Sequence, residues 1–197
     1  MHPFRNLELP GFRSVDQDVW VDDAGVVVRA VRFDLVPDLP AALTDRPALR
    51  RGMTAMAAQQ GGTLIDADIV GVGGQPALRQ LVKVPLPDQP HGEAFLGSFT
   101  VPKAAASAVL LVQAAERGMT GIREAVILGE VGPQDYFQPH PYAPEVALRL
   151  PFHVADDERY DERFPLHPLT LVRRLMARLA EQVTLEPGFA ALPPFAG

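Results

Sequence analysis

The stretch from Phe95 to Glu130 constrains the fold more than any other part of the chain. Two β-like segments, Ala94 to Val101 and Ser107 to Ala114, feed Glu116-Arg117-Gly118-Met119-Thr120-Gly121-Ile122-Arg123-Glu124, a tight turn that launches a helix. A meander of strands closed by a helix on the sheet builds a compact α+β domain. Val109-Leu110-Leu111-Val112 is continuously apolar, the pattern of a central strand covered on both faces, so helices are expected on either side of the sheet.

Upstream lies a hairpin whose register can be derived. Thr63 to Val72 and Gln75 to Val84 are joined by Gly73-Gly74, a pair suited to the positive φ angles of a two-residue turn. If Val72 pairs with Gln75, then Ile69 faces Leu78, Ala67 faces Gln80 and Ile65 faces Val82, while the other side sets Asp68 across from Arg79. Asp66 is then diagonal to Arg79 and Lys83, which reads as an ion-paired solvent face. The sharper alternative, a carboxylate pair for metal or acid-base work, lacks a neighbouring histidine.

Elsewhere the periodicity predicts a first strand over Gly25 to Leu35 after an irregular opening, and a helix from Thr44 to Gln60 stopped by Gly61-Gly62. A proline-rich loop spans residues 85–90. Past Gly132 the chain makes a long surface excursion with an edge strand from Val146 to Val154. A helix from Pro168 to about Val183 follows, striped by Leu169, Val172, Leu175, Met176, Leu179 and Val183 at spacings of three and four. The stripe fits either the core or a partner helix. Arg173, Arg174 and Arg178 fall on its polar, solvated side.

A chain of 197 residues with 47% hydrophobic and 21% charged side chains is long and apolar enough to fold as one domain, 1–197, with a C-terminal extension over about 133–197 that ends in the amphipathic helix. The net charge of -6 disfavours phosphate backbones, so nucleic acid is not an expected partner. With no cysteine there is neither a disulfide framework nor a thiolate nucleophile. The segment Met1 to Phe12 lacks the apolar run of a signal peptide, and Ala104 to Ala115 is too short to span a bilayer, so the expectation is a cytoplasmic protein with no membrane partner.

No catalytic, metal or cofactor motif emerges. Ser14, Ser98 and Ser107 lack the nucleophile-elbow pattern, the five histidines are not spaced as a metal clamp, and Gly71-Val72-Gly73-Gly74 joins two strands rather than opening a helix. At Gly118 to Glu124, Thr120 can cap the helix while Arg123 or Glu124 pairs with a neighbouring strand. The same turn could bind a small anion at its N–H groups or a partner through Arg123. Tyr136, Phe137, His140 and Tyr142 cluster on an expected surface loop suited to loop packing or protein contact, with Asp135 and His140 as a catalytic option.

The order strand, helix, hairpin, then Phe95-Leu96-Gly97-Ser98-Phe99-Thr100-Val101-Pro102, an apolar strand, and Gly118-Met119-Thr120-Gly121-Ile122-Arg123-Glu124 resembles the Mog1/PsbP-like fold over roughly Val26 to Val131. The resemblance implies an α/β/α sandwich on a twisted, mainly antiparallel sheet, in a superfamily of mostly non-enzymatic binding or accessory proteins. It carries over no catalytic residue. The expected function is accordingly a non-catalytic, protein-binding or accessory protein without a cofactor, acting through Thr120, Arg123, Tyr136, Phe137, His140 and Tyr142. The alternative is a hydrolase-type enzyme with a pocket between the sheet and the C-terminal segment, using His140 or His153 with Asp135. Self-association through the stripe or a sheet face is a third class.

Overall fold

The computed structural model describes residues 2–87, 89 and 91–196, and positions 88 and 90 of the expected proline-rich loop lie outside them. Strands β1 (Phe4–Arg5), β2 (Phe12–Asp16), β3 (Val19–Asp22) and β4 (Val27–Phe33) precede helix α1 (Arg46–Gln59). Strands β5 (Thr63–Val72), β6 (Gln75–Pro85), β7 (Glu93–Pro102) and β8 (Ser107–Ala115) follow, then helices α2 (Ile122–Val131) and α3 (Pro133–Tyr136). After two 3-10 turns, Val154–Asp156 and Glu158–Tyr160, come α4 (Pro168–Gln182), β9 (Thr184–Leu185) and α5 (Pro187–Ala190). Seven strands form one antiparallel sheet in the order β2-β3-β4-β8-β7-β6-β5, and β1 pairs with β9 as a separate ribbon. This is an α+β fold, and none of its described helices is long and apolar enough to cross a membrane.

The expected hairpin forms with Gly73 and Gly74 at φ 55° and 75°, a left-handed pair that side-chain-bearing residues adopt only under strain. Helix α1 starts at Asp45, whose carboxylate accepts the Ala48 N–H, and ends at Gly61 in the left-handed region. Its Leu49, Met53 and Ala57 pack with Leu64, Ala67 and Leu78. The α4 stripe packs into the main core with Phe95, Phe99, Leu110 and Val112, at about 1.5–3 kcal/mol for each large side chain before entropy is charged. Gly97 permits this approach, because a Cβ there would lie 2.0 Å from Met176 Sδ and 2.8 Å from Val172 Cγ1.

Several expectations are corrected. The opening is not irregular: β2 and β3 extend the sheet beyond β4 through a turn at Asp18, φ 59°. Aspartate is among the few non-glycine residues that tolerate this conformation, so a turn without glycine is easily missed. Ile65 does not face Val82. A bulge at Ile65 pairs Leu64 with Val82 and Asp66 with Leu81, turning Leu64 toward α1 and Ile65 into the main core.

The segment from Val146 to Val154 forms no edge strand. Pro151 interrupts it, and the open carbonyls of β5 are met instead by side chains, His140 Nε2 donating to the Leu64 oxygen and Arg50 Nε to the Ala67 oxygen. A single bridge, Phe137 with His153, marks where the segment pairs. Arg173 is not solvated: it is half-buried and donates to Asp161 and to the Asp156 carbonyl. In β8, Leu110 and Val112 are buried whereas Val109 and Leu111 are half-buried, so the apolar run is fully covered on one face only.

Candidate functional site

Strand β6 carries Lys83 into the interior beside the first 3-10 turn. Its fully buried Nζ donates to both carboxylate oxygens of Asp156 at 3.0 and 2.8 Å and meets His153 Nε2 at 2.8 Å. An ammonium only donates, so Nε2 accepts and the His153 proton sits on Nδ1, which has no hydrogen-bond partner. Burial pushes the His153 pKa down to about 4, with Lys83 and Arg123 reinforcing and Asp156 opposing. Tyr136 stacks on the imidazole at 4.9 Å, and burial lifts its hydroxyl well above the ordinary range. Lys83 is thus not on a solvent face beside Asp66: Asp66 is held by Arg79 and Tyr142, and Asp68 lies near Arg46 and Arg50.

A second group gathers where four elements meet: Glu93 at the start of β7, Glu116 just after β8, Glu124 in the first turn of α2 and His167 at the cap of α4. Glu116 accepts the Glu93 N–H at 2.9 Å and the Gly121 N–H at 2.7 Å. Burial works to raise its carboxyl, but the His167 imidazole and these two N–H groups outweigh it and hold it below the usual carboxylate range. Burial pushes Glu93 up to about 7 against the pull of Lys83, and burial also raises Glu124.

His167 Nδ1 accepts the Leu169 N–H, which leaves the proton on Nε2. That Nε2 lies 3.8 Å from Glu116 Oε1 and 3.7 Å from Glu124 Oε1, beyond hydrogen-bonding reach. Potential ligand atoms of Glu116, Glu124 and His167 lie within 4.8 Å of one another, as do those of Glu93, Glu124 and His153. The three glutamates line a cavity of about 350 Å³ with Thr120, Gly121, Gly92 and the exposed His91 at its rim. Among the described residues, seven buried side-chain polar atoms lack a partner, and five belong here: Glu93 Oε2, Glu124 Oε2, Tyr136 Oη, His153 Nδ1 and His167 Nε2. Sequence reasoning missed this group because its members are scattered over some 75 positions, and only the fold converges them.

The residues singled out from the sequence separate. Thr120 is half-buried in the cavity wall and does not cap α2, whose cap is Gly121 at φ 72°. Arg123 is not at the surface: it is wholly buried, donating to the Ala155 and Asp157 carbonyls, Asp161 and Thr170, and so ties the C-terminal segment to α2. Tyr136 and His140 are buried as well, contrary to a surface-loop placement, the first by packing with Ile127 and Ala155 and the second by its bond to β5. Tyr142 is half-buried, donating to Asp66 with the Arg50 guanidinium over its ring. Phe137 alone of the aromatic set is exposed, at 53%.

A groove of about 780 Å³ does lie between the sheet and the C-terminal segment, with Arg79, Phe99, His153, Asp156, Arg173 and Met176 in its walls. Of the residues of the enzyme option only His153 lines the groove, engaged by Lys83, while His140 is engaged by Leu64 and Tyr142 and Asp135 is exposed.

Helix α2 has a different character outside. Ile122 is 47% exposed and Val126 40%, Ala125 and Gly129 complete a stripe at helical spacing, and Met119, 79% exposed, sits in the bend just before the helix. Gly129 has ordinary helical φ, and a Cβ built on it would meet no atom within 4 Å. Neither backbone geometry nor internal packing requires a glycine there, although one costs about 0.5–1 kcal/mol within a helix. No protein-family model matches the chain, and no curated protein matches it.

Proposed function

We propose that this chain is a non-catalytic, cytoplasmic, protein-binding accessory protein, and that its partner lays an apolar helix along the outer face of α2. The observation that carries this reading is Gly129, a helix-interior glycine with open space above it, set among exposed Ile122, Ala125 and Val126. Small residues beside larger apolar ones let a second helix approach closely. The reading takes the fold as the α/β/α layering implied by the resemblance to Mog1/PsbP-like proteins. It is supported by Leu78 and Leu81 of β6, which enter the α1 and α4 clusters respectively.

A photo-crosslinking amino acid at Val126, compared with one at the exposed Arg178, tests this in cells. Adducts confined to position 126, mapped to an apolar helical segment of another protein and lost in Gly129→Leu, are expected. Adducts to the chain itself would mean self-association instead, and equal labelling at both positions would refute the docking face. The groove favours a second reading, a hydrolase-type enzyme with His153 in the wall. Turnover of nitrophenyl esters or phosphoesters that is lost in His153→Asn would support it, and no turnover by the native chain would eliminate it for those substrates.

A further inference from the structure

We propose that Glu124, flanked by Glu93 and Glu116, binds one hard divalent cation of the calcium type, with His167 donating from Nε2 to water on that cation. Glu93, Glu116 and Glu124 line one cavity, and Glu124 is shared by two groups, one with Glu116 and one with Glu93, whose ligand atoms lie no farther apart than 4.8 Å within each group. That limit is twice a Ca–O bond of about 2.4 Å, and carboxylates with retained water are what such a cation takes.

The independent observation is His167. Its side chain is 8% exposed, and its Nε2 points between Glu116 and Glu124 without a hydrogen-bond partner. Because Nδ1 caps α4, Nε2 carries a proton and cannot itself ligate a metal. It is therefore placed as a donor to a cation-bound oxygen, the usual task of a histidine one shell out. Glu124 Oε2 and Glu93 Oε2 are likewise buried without partners. Lys83 faces Glu93 and Glu124 from the interior side, leaving the rim at His91 as the open approach.

Calorimetric titration of the chelator-treated full chain with CaCl2, repeated with ZnCl2, tests the assignment. One Ca²⁺ per chain is expected, with affinity falling at least about 30-fold in Glu124→Gln, which removes a ligand charge. His167→Asn keeps a capping side chain and should weaken Ca²⁺ by roughly tenfold. Glu181→Gln, on the exposed side of α4, should leave the affinity unchanged. Thermal melts confirm that each variant is folded, and the native chain should melt higher with Ca²⁺ than without. Neither heat nor a melting shift at millimolar Ca²⁺ would overturn the proposal and leave ordered water as the occupant. Unchanged affinity in Glu124→Gln would also overturn it. So would Zn²⁺ binding that His167→Asn abolishes as fully as Glu124→Gln does, since that would make His167 a direct nitrogen ligand.

Discussion

Replacing Glu93 by glutamine tests the electrostatics of the interior directly. Burial raises the Glu93 pKa from 4.5 to about 7, so the folded chain holds this proton more tightly than the unfolded chain does. Its contribution to stability is therefore complete below about pH 4.5 and is lost as pH rises to about 7, a cost of about 3 kcal/mol at about 1.36 kcal/mol for each pH unit between the two values. Glutamine keeps the shape and carries no charge at any pH. Glu93→Gln should match the native protein at pH 4 and exceed it by about 2–3 kcal/mol at pH 8 in the absence of divalent cations.

His153 has the opposite sign. Its pKa is lowered from 6.5 to about 4, so its contribution is present above 6.5 and lost as pH falls toward 4. The two slopes oppose one another between about pH 4.5 and 6.5 in the native chain, and the variant should lose the Glu93 slope while keeping that of His153. Urea unfolding at fixed pH from 4 to 8, with EDTA and an unchanged m-value, measures both curves. Parallel curves, or a variant weaker than the native protein at pH 8, would refute the reasoning.

Other perturbations follow from the same geometry. Arg123→Met leaves the Ala155 and Asp157 carbonyls without their buried donor and Asp161 with Arg173 alone, and should cost about 3–5 kcal/mol in chemical denaturation, far more than a surface arginine. Gly129→Ala should stabilise the chain by about 0.5–1 kcal/mol while weakening crosslinking at position 126, a combination that a purely structural glycine would not produce. Gly97→Ala forces a methyl group against Met176 and Val172 and should cost about 1–3 kcal/mol, read as a lower melting temperature. Lys83→Met leaves the buried Asp156 carboxylate with the His153 N–H but without its cation, and should cost about 3–5 kcal/mol in chemical denaturation.

Local chemistry was legible along the chain wherever one short stretch carried the whole signal. Gly73-Gly74 set the hairpin turn, Gly61 stopped α1, and the Leu169-to-Val183 stripe buried α4, because turn geometry, helix stops and helical period depend on neighbours a few positions apart. The central place of β8 was legible for the same reason. What only the tertiary structure decided is where side chains with two acceptable environments end up. Arg123, Tyr136 and His140 carry polar groups that suit a surface equally well, yet all three are buried: Arg123 and His140 find hydrogen-bond acceptors on distant segments, while Tyr136 packs its ring against Ile127, Ala155 and His153 with its hydroxyl unpartnered.

The bulge at Ile65 and the Asp18 turn are similarly undecided by sequence, since either register satisfies local preference until α1 and β4 are in place. The candidate site lies wholly on that side of the division. Glu93, Glu116, Glu124 and His167 come from four elements and share no spacing, and their charges act on one another only because the fold removes the water between them.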